Sequence, residues 1–252
     1  MQAINWLLVL VRVSALLAVF PLFTGPNFPF RLRAALAALM AFLIAPQLPP
    51  IALGHTTIGG LAYLLAMETG IGLILGFAGR MIFMIVDAAG NIVGTELGLN
   101  LAAVLNPFSA TQSQAPAMIL FYLTAMIFLS LDMHHGMLIA MGETYRAVPI
   151  GGAHLGAGLF KDIVARTSSL FLIALQMAAP LIAISFVITL VFAVLGRAVP
   201  AMNVFSESFA FRSLAGLTVF GLTLQLMAQH IANYLRRLPE DLVRVSQLLG
   251  TG

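Results

Sequence analysis

The chain contains no cysteine. Disulfides, thiolate metal sites and thiol nucleophiles are therefore excluded, and the redox state of the surroundings has no thiol to act on. Charge is almost as scarce: 12 basic and 9 acidic residues make up 8% of the 252, where a soluble domain carries about 25%. Lysine occurs once, at Lys161, and the arginines are scattered singly rather than gathered on one face, so no nucleic-acid-binding patch is present. Too little polar surface is available to clothe one domain in water, which rules out a water-soluble enzyme. Few charges with many apolar residues is also the reverse of what intrinsic disorder requires.

What the chain does have is apolar sequence, 61% by the AVILMFWYC set. No polar stretch is long enough for a separate soluble domain, and residues 1–252 read as one hydrophobic domain. A helix needs about 20 apolar residues to cross a bilayer. Stretches of that kind run from Trp6 to Phe23, then from Ala34 to Ile44, which is short for a span and stops at Pro46, Pro49 and Pro50. A third and a fourth share Ile58 to Leu105, interrupted by Glu68, Arg80, Asp87 and Glu96. The fifth runs from Ala117 to Leu131, with an extension past His135 to Tyr145; the sixth is Thr167 to Gly196, the seventh Leu214 to Leu235, and the tail from Arg236 is the most polar part. Arg12 lies within the first run with no basic residue before it, and more apolar segments follow, so this run reads as a retained helix rather than a signal peptide. Basic residues fall in nearly every interval, so loop charge does not orient the chain. No internal repeat supports an alternating-access transporter.

Four features are candidates for function. Gly72 and Gly76, and then Gly90, Gly94 and Gly98, recur at intervals of four, so each set lines one helix face and predicts close backbone packing. Spacing leaves open whether the neighbouring helix belongs to the same chain. Glu68, Arg80, Asp87, Glu96 and Asp132 are charges in apolar surroundings, where an unpaired charge costs at least about 2.5–3.5 kcal/mol. They predict ion pairs or wet helix ends before a proton relay, because the acids show no convergent spacing. In Asp132-Met133-His134-His135, adjacent histidines diverge by about 100° on a helix, which argues against a shared metal ion. Asp132 and His135, three apart, suit a hydrogen bond at a helix end. Finally, the break Asn106-Pro107-Phe108-Ser109-Ala110-Thr111-Gln112-Ser113-Gln114-Ala115-Pro116 must lie in water, in protein or along a cavity, since irregular backbone cannot face lipid. No catalytic, cofactor or metal site is read from the residues.

The ordered set Pro21-Leu22-Phe23, Pro29, Arg31/Arg33, Gly90, Gly98, Asn106-Pro107, Pro116, His134-His135, Pro149-Ile150-Gly151 and Arg197-Ala198-Val199-Pro200-Ala201-Met202-Asn203-Val204-Phe205 resembles the FliR family, whose injectisome relatives are the SctT proteins. The match runs over about Pro21 to Leu222. The resemblance implies an all-α, membrane-associated subunit of the flagellar type III export gate, with bent helical hairpins in a spiral hetero-oligomer. It implies FliP-like, FliQ-like, FlhB-like and FlhA-like partners, contact with lipid, and unfolded exported proteins as cargo, in the bacterial inner membrane at the flagellar basal body. It implies no enzymatic activity and no cofactor, and it raises Asn106 to Pro116 to a pore-plugging loop. The chain departs from the family where a Gly-Phe-Pro-Leu-Lys-like stretch is replaced by Ser208-Phe209-Ala210-Phe211-Arg212, which puts the local turn in doubt. The rival reading is a small ion-coupled transporter using Glu68, Arg80, Asp87 and Glu96.

Overall fold

The computed structural model describes residues 2–25, 28–49, 57–99, 115–154, 156–199, 201 and 203–250. Every regular element among them is helical: α1 (Gln2–Val19), α2 (Pro21–Thr24), α3 (Phe30–Ile44) prolonged by a 3-10 turn (Ala45–Gln47), α4 (Ile58–Glu96), α5 (Ala115–Ser130), α6 (Met133–Ala147), α7 (Ala157–Ala198) and α8 (Val204–Gly250). Phe30–Gln47, α4, α7 and Ser206–Gly250 are long and apolar enough to cross a membrane, and α5 with α6 make one further, bent candidate. The chain is an all-α polytopic membrane protein.

Several boundaries differ from the sequence reading, each for a local reason. From Ile58 to Glu96 the third and fourth apolar segments are one helix, α4, and residues 100–105 of the stretch lie outside the described residues. Helix α4 contains no proline, and a helix satisfies its own backbone whatever its side chains carry, so the embedded charges do not interrupt it. The short second segment gains length because α3 starts at Phe30 and the 3-10 turn carries it to Gln47. The fifth does not run on to Tyr145: Asp132 takes a left-handed backbone (φ 53°, ψ 28°) and the helix restarts at Met133. The polar tail is the end of α8, where Leu238, Leu242, Val245 and Leu249 form a buried stripe at helical spacing. The doubtful stretch after Asn203 holds no turn, because α8 begins at Val204 and runs through it, with the Ser206 N–H donating to Asn203 Oδ1 at 3.3 Å.

The chain packs as two compact units. Unit 1 comprises Met1–Met81, Phe128–Thr167 and Tyr234–Gly252. In it α1 packs on α3, with Leu8, Val13 and Leu17 of α1, Phe20 just after it, and Met40 and Ala41 of α3 buried. A Cβ at Gly72 would overlap the Arg12 carbonyl oxygen, and one at Gly76 would sit 2.7 Å from that of Leu16, so α4 approaches α1 at backbone contact. Unit 2 comprises Ile82–Ile127 and Ser168–Asn233. There a Cβ at Gly90 would overlap Ala117 of α5, and Gly94 is buried. Gly98, just past the end of α4, is likewise closely packed, since a Cβ there would lie 2.6 Å from the Phe209 ring, and it has a second task. At φ 75° it closes α4, with the Leu99 N–H reaching Gly94 O and its own N–H reaching Thr95 O, both at 3.0 Å, the paired bonds of a Schellman cap.

Gly72→Val should destabilise the fold in detergent by the overpacking cost, about 1–3 kcal/mol or more, and so lower the unfolding midpoint. Gly70→Ala, whose Cβ meets nothing within 4 Å, should be neutral or slightly stabilising. Thermal unfolding of the two variants side by side checks this, and equal midpoints would contradict the packing.

Candidate functional site

An arginine in the middle of an apolar helix must find a counter-charge, and α1 places Arg12 in the core of unit 1. Its partner is Glu68, the acid of α4 that lies one helical turn before Gly72, where α4 is close enough to α1 for their side chains to meet. Arg12 Nε donates to Glu68 Oε2 at 2.6 Å and Nη2 to Oε1 at 3.0 Å, a bidentate pair with both side chains fully buried. Nη1 and Nη2 also donate to the Val148 carbonyl, each at 3.2 Å, and the guanidinium lies 3.9 Å above the Tyr145 ring. Glu68 Oε1 accepts the Gly151 N–H at 3.2 Å. Gly151 supplies that N–H from a turn at φ 76°, a conformation that glycine adopts without strain. One ion pair thus joins α1, α4, the end of α6 and the turn that follows.

A second network, nearer the surface, joins α7 to α8. Asp162 Oδ2 accepts from Arg166 Nε at 2.5 Å, Arg166 Nη1 lies 2.7 Å from Asp241 Oδ1, and Arg244 Nη2 lies 3.3 Å from Asp162 Oδ1. The charges alternate in sign along the chain of contacts. It belongs to the polar end of unit 1 and spares each acid an unpaired site beside apolar helices.

The remaining residues singled out from sequence are dispersed. Arg80 and Asp87 are exposed on α4, and Glu96 is half-buried at its last turn; among the described residues none of the three enters an ion pair. Asp132 Oδ1 lies 4.0 Å from His134 Nε2 and 3.7 Å from His135 Nδ1. Of the loop Asn106 to Pro116, residues 106–114 lie outside the described residues. Ala115 and Pro116 are helical, opening α5. The ends flanking that segment are well held. Ser213 Oγ of α8 donates to the Leu97 carbonyl at 2.8 Å, and Gly90 sits against Ala117. Arg12 was missed as a site residue although it is the arginine most deeply set in apolar sequence. The need of a buried charge for a partner was the signal that could have found it.

Both Glu68 oxygens are engaged, which leaves it no capacity to carry a solute ion and removes one of the four groups the transporter reading requires. Long apolar helices joined by a buried ion pair are those of a polytopic membrane protein. The chain matches the bacterial export proteins, family 1, over residues 3–238. It is 28% identical over 249 residues to the flagellar biosynthetic protein FliR of Escherichia coli (strain K12), covering 96% of this chain and 95% of that protein. It is 32% identical over 231 residues to FliR of Caulobacter vibrioides, covering 88% of each chain, and 29% identical over 206 residues to FliR of Bacillus subtilis, covering 79% of this chain and 78% of that one. The chain belongs to the FliR family of bacterial export proteins. It is a subunit of the flagellar protein export apparatus and a membrane-embedded flagellar component.

Arg12→Ala or Glu68→Ala alone should each destabilise the protein by about 3–5 kcal/mol, because the surviving charge is left buried and unpaired. Arg12→Met with Glu68→Leu together should cost much less than the sum of the single losses. A double-mutant cycle on unfolding midpoints in detergent measures this, and additive losses would show that the pair is not coupled.

Proposed function

We propose that this chain builds part of the gate through which unfolded flagellar proteins cross the bacterial inner membrane, together with FliP-like and FliQ-like subunits and with FlhB-like and FlhA-like proteins. Its contribution is structural rather than enzymatic. The observation that carries this reading is the surplus of helix over membrane. Helices α4, α7 and α8 have 39, 42 and 47 residues, hence contour lengths of about 58, 63 and 70 Å, roughly twice a hydrocarbon core of about 30 Å. Tilt absorbs only part of the excess. Yet large side chains stay exposed along these helices, among them Phe171, Phe186 and Val194 of α7 and Leu214, Leu222 and Leu226 of α8. Such a surface outside lipid is stable only when other protein covers it, as in a hetero-oligomeric gate.

Within that gate residues 106–114 of the break, ahead of the helical Ala115 and Pro116, serve as the plug. The described residues on either side support this: the end of α4 is held by Ser213 on the Leu97 carbonyl, and the start of α5 packs against Gly90. Small and amide side chains along the loop fill a closed conduit and give way to a passing chain without trapping it electrostatically.

Deleting Ser109 to Gln114 should leave the assembled complex intact on a native gel but make cells leak ions and small solutes. Membrane-potential dyes and solute uptake read the leak. An undiminished barrier with normal assembly would remove the plug assignment, whereas a chain that purifies as a stable monomer without other subunits would remove the gate itself.

A further inference from the structure

The break between α5 and α6 is built around an aspartate that does not do what aspartate at a helix start normally does. Asp is among the preferred N-cap residues because its side chain accepts a free N–H of the first turn. Asp132 stands at that position, makes no such bond, and is the non-glycine residue with positive φ among the described residues. A left-handed backbone at a non-glycine residue is uncommon, although aspartate enters it more readily than most, and such positions recur at functional sites. The carboxylate instead faces the two histidines, with Oδ1 3.7 Å from His135 Nδ1 and 4.0 Å from His134 Nε2. Both gaps are too long for hydrogen bonds. The imidazole rings lie 4.1 Å apart, centroid to centroid, and Nδ1 of His134 is buried with no hydrogen-bond partner among the described residues.

We propose that Asp132, His134 and His135 form a surface site for one divalent cation of the zinc type. One donor atom from each residue lies within 4.8 Å of the others. Around a tetrahedral ion with bonds of about 2.0–2.1 Å, neighbouring donors sit about 3.4 Å apart, a separation these half-exposed side chains reach by small χ rotations. The divergence of adjacent histidines on a helix, which argued against chelation, is offset because they present different ring nitrogens: His134 turns Nε2 and His135 turns Nδ1 toward the same carboxylate oxygen. Two imidazoles and one carboxylate suit zinc, nickel or copper and disfavour magnesium and calcium, and a water molecule would complete the shell. This inference stands apart from the gate and plug assignments, because the ligands are all in unit 1 and bind whether or not the chain conducts cargo.

The probe is Co2+, added to the full chain purified in detergent, with any subunits that accompany it, through a tag free of histidine. The expected result is saturable binding of one Co2+ per chain, with visible absorption bands of nitrogen ligation that Zn2+ bleaches and Mg2+ does not. Affinity should fall at least tenfold in His135→Gln and be lost in His134→Gln/His135→Gln. Asp132→Asn, which keeps the side chain's size, serves as the second variant and should also weaken binding. Absence of saturable bands in the wild-type chain would overturn the proposal, as would bands of equal strength in the double variant or in Asp132→Asn. Unfolding midpoints without metal verify that each variant is folded.

Discussion

The guanidinium of Arg12 sets conditions that the rest of unit 1 has to meet. A buried arginine is tolerable only if its donors are used, and here they reach a carboxylate on α4 and a carbonyl just past α6, while the Tyr145 ring lies under the charge. Those partners come from positions 56 and 136 residues away in sequence. Satisfying one side chain therefore specifies how three separated parts of the chain meet. An apolar contact between the same helices would tolerate sliding or rotation, because dispersion is non-directional. A bidentate ion pair does not, and the glycine at 72 lets α4 come close enough to α1 for it to form.

Close packing by glycine and broad exposure of large apolar side chains occur in the same helices. Gly72, Gly76 and Gly90 bring backbones of this chain together, so part of the small-residue pattern is used up internally. The long helices α7 and α8 then turn phenylalanine, leucine and valine outward. In water such a surface would aggregate. In a lipid layer, or against other subunits, it is the surface through which the chain is held.

The fold class was legible because composition and run length agree: with 8% charge the chain belongs in or against apolar surroundings, where helices or a closed barrel satisfy the backbone, and its long unbroken apolar runs suit helices. The family was legible in the order of prolines, glycines and histidines, and the comparisons agree over nearly the whole chain. Helix boundaries were less legible. Charges at Arg80 and Asp87 looked like interruptions, yet both face outward from an unbroken α4. The end of the fifth segment at Leu131 and the placing of Asp132 at a helix end were close to the observed break, but the left-handed turn at Asp132 that starts a separate helix shows only in its torsions. Glu68 was recognisable as a charge needing a partner, but nothing local names Arg12, because the pairing depends on how α1 and α4 cross. Gly98 sits at a helical interval from Gly94 and Gly90, so its role as a terminator is visible only in its φ.

The separation of Arg12 from Glu68 also has a consequence for biogenesis. Bacterial chains are made at about 5–20 residues per second, so the 56 residues between the two take on the order of 3–11 s to emerge. Throughout that interval the first helix carries an arginine with no counter-charge, and Val148 arrives later still. An unpaired arginine among apolar groups costs at least about 2.5–3.5 kcal/mol, so until α4 emerges the guanidinium is best kept in a polar layer. The packing of α1 into unit 1 is in this sense a late event, completed when α4 delivers its glutamate rather than when α1 leaves the ribosome.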